Sequence, residues 1–271
     1  MDDALYRAVI RAARVVWRVL GLRLEVSGSE HLPAAGPVVV AANHQSFIDF
    51  MVVGLPAVHR GRLVRFLAKQ SVFGSALGGP LMRGMHHIPV DRTRGVTAAR
   101  AALQALRRGE VVGVYPEATI GHAFTLKDRG DLKRGAAHLA IATGAPIVPV
   151  AHWGLHRVTT VGRRPSLRRG LWVGVRVGPP IAPLPGETAI ELTGRVHTAL
   201  AGLIEELLDR YPEPPQGPVP AWWWPAHRGG GAPSLERARD LDRLAVARAD
   251  GVADPDLGMH TPSTRRVQGS A

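Results

Sequence analysis

The feature that most constrains the fold is the alternation of short apolar runs with longer segments of helical periodicity. This alternation is typical of an α/β domain in which helices connect the strands of a largely parallel sheet. We expect strands at residues 22–26, 37–42, 64–68, 87–90, 111–115, 146–152 and 171–177. We expect helices at residues 47–58, 71–82, 95–108, 132–143 and 187–210. The predicted fold class is α/β, a mostly parallel mixed sheet flanked by helices.

A further helix is predicted at the N-terminus, over residues 4–20. At about 100° per residue, its arginines lie on one narrow face and its aliphatic residues lie on the opposite face. The arginines are Arg7, Arg11, Arg14 and Arg18, and the aliphatic residues are Leu5, Val9, Val16 and Leu20. One interpretation is a helix that packs its apolar side on the domain and leaves its basic side in water. The other is an interfacial helix, with Trp17 near the boundary and the arginines toward anionic headgroups.

The composition changes to proline, glycine and charge from Pro212 onward. We therefore predict three parts: an amphipathic membrane-interface helix at 1–22, the main domain at 23–211 and a largely irregular Pro/Gly-rich tail at 212–271. The tail contains Trp222-Trp223-Trp224, whose large apolar area favours docking onto the domain. A membrane-interface anchor is the alternative for this cluster.

The chain is strongly basic, with 34 Lys plus Arg against 22 Asp plus Glu and a formal net charge of +12. The tail holds seven basic and seven acidic residues, so the surplus belongs to residues 1–211. Such a surface attracts phospholipid headgroups, coenzyme phosphates, an acidic carrier protein or nucleic acid. We do not expect a nucleic-acid partner, because aromatic residues make up only 5% and no binding motif is found.

The sequence excludes several other classes. It has no cysteine, which excludes disulfides, thiolate metal sites and a thiol nucleophile. The arginines of the first segment argue against a secretory signal. No run of about 18 apolar residues predicts a spanning helix. If the protein acts at a membrane, we expect it to be peripheral and on the cytoplasmic face.

The best candidate for chemistry is the segment that follows the apolar run at 38–42. It places Asn43 and His44 at a strand end, where α/β domains put their sites, and Ser46 and Asp49 at the start of a helix. Asp49 could be only a helix cap, as in a Ser-x-x-Asp box. It could also orient His44, which would then take the proton of an attacking hydroxyl. No Gly-x-Ser-x-Gly elbow is found, so the substrate hydroxyl is the natural nucleophile.

Three further segments follow in order. With the first segment they make four motifs, which are Asn43-His44 with Asp49, Gly84 to Asp91-Arg92, Tyr115-Pro116-Glu117-Ala118-Thr119-Ile120 and Val148-Pro149-Val150. On these motifs the chain resembles the glycerolipid acyltransferase family, typified by 1-acylglycerol-3-phosphate acyltransferases, over about residues 25–180. It departs from the family's third motif at Ala118, usually glycine, and at Ile120, usually arginine.

The resemblance implies transfer of a fatty acyl group from acyl-CoA or acyl carrier protein to the free hydroxyl of a lysophospholipid. The first acceptor to consider is 1-acylglycerol-3-phosphate, which would give phosphatidic acid without an acyl-enzyme. His44 becomes the general base and Asp49 its orienter, and the partners become membrane lipids and the acyl donor. No other cofactor is implied. No metal is expected, because His86 and His87 alternate across a strand and the pair His152/His156 lacks a third ligand nearby.

The expected substrate-binding residues are Asn43, Arg92, Glu117, Thr119, Lys127 and Lys133, of which the resemblance implies Arg92 and Glu117 as acceptor contacts. A guanidinium matches phosphate in a bidentate way, so Arg92 is the expected phosphate contact, and Glu117 is expected to orient a hydroxyl. Lys127 and Lys133 could replace the missing arginine or could only solvate a helix start. Because Ile120 leaves the acceptor open, another lipid or glycolipid hydroxyl is an alternative. A non-catalytic basic membrane-binding protein is a second alternative.

Overall fold

The computed structural model describes residues 3–76, 78–91 and 95–249. Within them, seven strands form one sheet of order β1-β7-β6-β2-β5-β3-β4. All neighbours are parallel except β6 and β7, which are antiparallel. The strands are β1 Arg23–Ser27, β2 Val38–Ala42, β3 Val64–Lys69, β4 Ile88–Val90, β5 Val111–Val114, β6 Ile147–Trp153 and β7 Trp172–Val177. The predicted α/β class and mostly parallel sheet are confirmed.

Helices cover both faces of the sheet. In the described residues they are α1 Ala4–Val19, α2 Asp49–Val53, α3 Leu55–His59, α4 Gln70–Phe73, α5 Gly78–Gly84, α6 Gly95–Arg107, α7 Gly135–Thr143, α8 Ala189–Asp209 and α9 Leu235–Ala249. One core lies beneath α1, α2 and α3, and a larger one lies beneath α6, α7 and α8. None of the helices in these ranges is both long and apolar enough to cross a membrane.

The centre of the sheet brings three strand ends together. All five residues of β2 are buried, as expected of a parallel strand covered on both faces. It lies between β5 and β6, with Ala41 paired to Val114 and Ala42 paired to Val150. Parallel strands end at the same edge, so the residues that follow β2 and β5 meet the last residues of β6 there.

Each predicted strand is present within one or two residues of its expected bounds, but two predicted helices are divided. The segment 47–58 forms α2 and α3, because Pro56 has no N–H with which to continue a helix from α2. The segment 71–82 forms α4 and α5, because α4 ends at Phe73 with Gly74 as its C-cap. The prediction of a single helix was therefore wrong in both places.

Helix α1 contacts the domain through a different face from the one expected. Its buried residues are Tyr6, Ala13 and Trp17, and the Tyr6 hydroxyl donates to the Val64 carbonyl at 2.9 Å. Trp17 is only 5% exposed, so the expectation that it lies at a membrane boundary is wrong. The outward face instead carries aliphatic side chains that are 42 to 62% exposed: Leu5, Val15, Val16 and Val19.

The tail packs onto the domain and is not irregular throughout. Trp224 is 6% exposed and lies edge-on to Trp153, with ring centroids 6.0 Å apart. Helix α9, which the sequence analysis did not predict, follows this cluster. Its residues are mostly good helix formers, and ion pairs from Arg239 to Asp128 and Asp131 attach it to the domain.

Candidate active site

His44 comes two residues after β2, and its imidazole contacts Asp49. The ring Nδ1 lies 3.0 Å from Asp49 Oδ2. Because an ionised carboxylate can only accept, Nδ1 carries the proton and donates it. The neutral ring then has its lone pair on Nε2. Since 21% of the side chain is exposed, a substrate can reach it.

Asp49 is fully buried, and several donors converge on its Oδ2 atom. The backbone N–H groups of Gln45 and Ser46 donate to it at 2.6 and 2.8 Å, and His152 Nε2 lies 3.2 Å away. Burial alone would raise the pKa of Asp49, but the charge and hydrogen bond of His152 and the hydrogen bond of His44 hold that pKa below its usual value. Asp49 is therefore ionised at neutral pH.

Asp49 is not the cap of a Ser-x-x-Asp box, because α2 begins at Asp49 itself, its N-cap residue is Ile48 and no side chain caps it. Its Oδ2 accepts the Ser46 N–H in the turn before the helix. The same oxygen accepts the proton of His44 Nδ1. One carboxylate thus shapes the turn from β2 into α2 and fixes the tautomer of His44.

Asn43 and His152 link the ends of β2 and β6. Asn43 Nδ2 donates to the His152 carbonyl at 3.0 Å, and the His152 N–H donates to Asn43 Oδ1 at 2.9 Å. His152 Nε2 also lies 2.9 Å from the Asn43 carbonyl oxygen, so its proton is shared between that oxygen and Asp49. Both side chains are 0% exposed. Asn43, expected to contact substrate, is buried and holds the two strands together.

Tyr115 restricts the plane of the His44 ring. The two rings are stacked, with centroids 4.2 Å apart and an angle of 19° between them. Tyr115 is stacked in turn on Phe66, at 5.9 Å and 12°. These contacts and the bond to Asp49 fix the direction in which Nε2 of His44 points.

Glu117 lies in the turn after β5, and its buried carboxylate joins two segments of the site. Oε1 accepts the His44 N–H at 2.8 Å, and Oε2 accepts the Lys127 N–H at 3.3 Å. Burial raises the pKa of Glu117 from 4.5 to about 7, although these hydrogen bonds and the charge of Lys127 lower it. The expected partner of Glu117 was an acceptor hydroxyl. The structure gives its oxygens backbone partners instead.

Lys127 is the cation whose charge acts on this carboxyl group. Its Nζ donates to Thr119 Oγ1 and approaches the Glu117 carbonyl at 3.4 Å. The same Nζ lies 2.6 Å from Oδ2 of Asp242 on α9, and His122 Nδ1 lies 2.6 Å from the other oxygen of that carboxylate. Glu117, Thr119 and Lys127 are therefore together, and a residue of the tail lies over them.

One predicted contact, Lys133, is not part of this cluster. Lys133 is exposed just before α7, and its backbone N–H donates to the Pro116 carbonyl at 2.8 Å. Arg92 lies outside the described residues, so its expected phosphate contact stays a prediction.

His156 packs among aromatic residues and bonds to a backbone carbonyl. It is buried and stacked on Phe124, and its Nε2 lies 3.0 Å from the Trp223 carbonyl oxygen. Over the described ranges, no group of three His, Asp or Glu side chains is arranged to hold a metal ion.

Comparisons with known proteins indicate the same family. A family model described as Acyltransferase matches residues 23–153, from β1 to the end of β6. The 1-acyl-sn-glycerol-3-phosphate acyltransferase of Bacillus subtilis (strain 168) is 28% identical over 151 residues, which cover 55% of this chain and 72% of that protein. The match agrees with the resemblance that the four sequence motifs indicated, and the relatives are named as O-acyltransferases.

A second relative and a solved structure agree. The human 1-acyl-sn-glycerol-3-phosphate acyltransferase alpha is 34% identical over 133 residues, 48% of this acyltransferase and 45% of the human protein. The alignment thus spans less than half of the human relative. The crystal structure of the 1-acyl-sn-glycerophosphate (LPA) acyltransferase PlsC from Thermotoga maritima matches with a TM-score of 0.62 and 24% identity, covering 76% of this chain and 80% of that one. The two proteins share a fold.

The acyltransferase departs from the family's third motif at two positions with visible consequences. Ala118, usually glycine, has a φ of 58°, in the left-handed region that glycine adopts without steric cost. Ile120, usually arginine, is 9% exposed and packs inward. Ala118 therefore holds a conformation that suits glycine, and the loop has a buried aliphatic side chain where the motif has a cation.

Three residues of this site were not predicted from the sequence. His152 lies at the end of the fourth motif's strand, and pairing β6 with β2 would have placed it beside Asn43. Tyr115 was read only as part of a motif, although a residue directly after β5 must lie close to one after β2. Asp242 has no local signal, because it reaches the site from a helix outside the matched region.

Proposed function

We propose that this acyltransferase moves a fatty acyl group from acyl-CoA or acyl carrier protein to the free hydroxyl of a lysophospholipid. The acceptor to test first is 1-acylglycerol-3-phosphate, because the relatives of Bacillus subtilis and human are named for that substrate. The product would be phosphatidic acid. The observation that carries the proposal is the His44–Asp49 pair at the end of β2, with Nδ1 engaged and Nε2 available.

The reaction follows from this geometry. The acceptor hydroxyl attacks the thioester carbonyl while Nε2 of His44 takes its proton, so a C–O bond forms and the C–S bond breaks. The departing thiolate then takes a proton, which the His44 imidazolium can supply. Asp49 stabilises the imidazolium and keeps the ring in the productive tautomer. No enzyme nucleophile is needed, so no acyl-enzyme forms.

The test is acyl transfer by wild type and His44→Ala, with labelled acyl-CoA or acyl carrier protein as donor and 1-acylglycerol-3-phosphate as acceptor. Loss of a general base lowers the rate about 10²- to 10⁴-fold, so we expect a decrease of that size. The control is His59→Ala, because His59 is exposed at the end of α3 and bonds to Ser29. Undiminished transfer by His44→Ala would exclude His44 as the base.

The absence of an acyl-enzyme has a separate test. Wild type incubated with the labelled donor and no acceptor should keep its unmodified mass and release thiol only at the rate of hydrolysis. A stoichiometric burst of thiol with a labelled protein would show a covalent intermediate and would contradict the direct mechanism.

An acceptor without phosphate is the second candidate. It is favoured by Ile120, which packs inward where the family has arginine, and by Lys127, which is already paired with Asp242. Monoacylglycerol with the same acyl chain is the matched acceptor, since it differs from 1-acylglycerol-3-phosphate in the phosphate alone. Exclusive transfer to the phosphate-bearing acceptor would reject this candidate.

The proposal also includes peripheral binding to the cytoplasmic face of a membrane. Helix α1 supports it, because its outward face combines the exposed aliphatic residues 5, 15, 16 and 19 with exposed arginines at 7, 11, 14 and 18. Apolar side chains can enter the headgroup boundary while arginines contact lipid phosphates. A lipid acceptor and an acyl donor dissolved in water would then meet at that surface.

A further inference from the structure

Helix α9 supplies an anion to the part of the site where an acceptor headgroup is expected. The Asp242 side chain is only 10% exposed, and each of its oxygens has one close partner. Oδ1 lies 2.6 Å from His122 Nδ1, and Oδ2 lies 2.6 Å from Lys127 Nζ. Distances this short are typical of charge-assisted hydrogen bonds. Two donors that fit two carboxylate oxygens also fit two oxygens of a phosphate.

The Lys127 end of this arrangement is close to the reacting centre. Glu117 binds the His44 N–H through one oxygen and the Lys127 N–H through the other. A single carboxylate therefore separates the backbone of the proposed base from that of the lysine. A headgroup bound at Lys127 lies beside the acceptor hydroxyl that His44 would deprotonate.

Little space remains for a phosphate while Asp242 is in place. The cavity between α9 and the loop of residues 121–127 has a volume of about 10 Å³. That is room for about one water molecule. A phosphate group in the place of the Asp242 carboxylate would meet the same two donors, Lys127 Nζ and His122 Nδ1.

We propose that Asp242 determines acceptor specificity by competing with the acceptor's anionic headgroup for Lys127. The inference rests on the proposed acyl transfer and adds the residue that selects the headgroup. Acceptors that carry phosphate must displace the Asp242 carboxylate, whereas acceptors with an uncharged headgroup need not. Asp242 is thus a positioning residue that acts through Lys127 and His122.

The test compares wild type with Asp242→Asn, using 1-acylglycerol-3-phosphate and monoacylglycerol as acceptors. Removing the competing charge should lower KM for the phosphate-bearing acceptor about tenfold, since a charge-assisted bond contributes about 1.5–3 kcal/mol and each tenfold is about 1.4 kcal/mol. The kcat for that acceptor and the KM for monoacylglycerol should change less than about twofold.

Asp240→Asn is the matched control. It removes the same charge from the same helix, but the Asp240 side chain is 52% exposed and lies 3.6 Å from Arg243. It should leave both KM values unchanged. Lys127→Met should abolish the decrease in KM that Asp242→Asn causes. The double variant should therefore have the same KM for the phosphate-bearing acceptor as Lys127→Met alone. This double-mutant cycle separates competition at Lys127 from a general loosening of α9.

Two results would overturn the inference. An equal change of KM for both acceptors in Asp242→Asn would show that Asp242 only holds α9 in place. A higher KM for the phosphate-bearing acceptor alone would show that Asp242 prepares Lys127 for phosphate. The substitution is isosteric, and the pairs of Arg239 with Asp128 and Asp131 still attach the helix.

A binding measurement keeps the inference independent of turnover. Glycerol 3-phosphate, titrated by ligand-observed NMR, should bind Asp242→Asn about tenfold more tightly than wild type, with glycerol as the uncharged control. If neither acceptor is acylated, the proposed function fails while this comparison still tests Asp242. Equal affinity of wild type and variant for glycerol 3-phosphate would contradict the competition.

Discussion

Glu117 is the residue of the site whose pKa the fold moves toward neutrality. Burial of its carboxyl raises the pKa from 4.5 to about 7. The folded protein therefore holds this proton to a higher pH than the unfolded chain does. The contribution of Glu117 to the free energy of unfolding is fully present below about pH 4.5 and is lost as pH rises through about 7.

Glu117→Gln should remove this pH dependence. A shift of this size corresponds to roughly 3 kcal/mol, so between pH 4 and 8 the wild type should lose about that much stability relative to the variant. Glutamine also loses one acceptor for the two N–H groups, but that cost is the same at each pH and cancels. Urea denaturation of both proteins across this range measures the difference. Parallel profiles would show that Glu117 titrates near its usual pKa.

At the same scale, sequence spacing could predict only the local part of the site. His44 and Asp49 are five residues apart at a strand-to-helix junction, and they do contact each other. The contacts that complete the site span 109 residues between Asn43 and His152 and 120 between His122 and Asp242. They depend on strand order and on the position of α9, which no short motif encodes.

At the scale of elements, buried strands were the most predictable feature. A strand covered on both faces is largely apolar, so β2 and the first five residues of β6 stand out as apolar runs. Helix α9 was missed for the opposite reason. It is polar, and tertiary ion pairs rather than an apolar stripe attach it to the domain. From its composition, this segment was predicted to be part of the irregular tail.

The tryptophan cluster makes the tail a structural part of the domain. Trp224 packs against Trp153 and Tyr211, and its Nε1 donates to the Arg228 carbonyl at 3.2 Å. Trp153 follows His152 directly, so the cluster lies behind the strand end that contacts Asp49. Loss of tail packing should therefore affect the stability of the strands that hold the site.

Trp224→Ala should lower the free energy of unfolding by about 3–5 kcal/mol, the usual cost of truncating a buried large aromatic residue. Trp222→Ala is the control within the cluster. Trp222 is only half-buried and lies beneath the Arg163 guanidinium at 4.5 Å, so its truncation should cost less. Chemical denaturation of both variants gives the comparison. A cost under about 1 kcal/mol for Trp224 would show that the tail is not packed as described.

At the scale of the whole molecule, charge and exposed apolar surface coincide on α1. The +12 net charge belongs to residues 1–211, as the sequence analysis found, and four arginines of that surplus are exposed on this helix. The sequence could not show which side of α1 faces outward. The helix contacts the domain only through the narrow stripe formed by Tyr6, Ala13 and Trp17. Only the packed structure leaves Val15 and Val19 exposed beside the arginines.

Binding to vesicles that contain anionic lipid should therefore depend on both features. Val15→Asp and Val19→Asp should each weaken binding about tenfold, because burying a valine contributes about 1.5 kcal/mol or more. Added salt should weaken wild-type binding further by screening the arginines. Ile190→Asp is the matched control, since Ile190 is 53% exposed on α8, which covers the opposite face of the sheet. Vesicle co-sedimentation measures all of these, and equal losses in the α1 and α8 variants would exclude α1 as the membrane-facing surface.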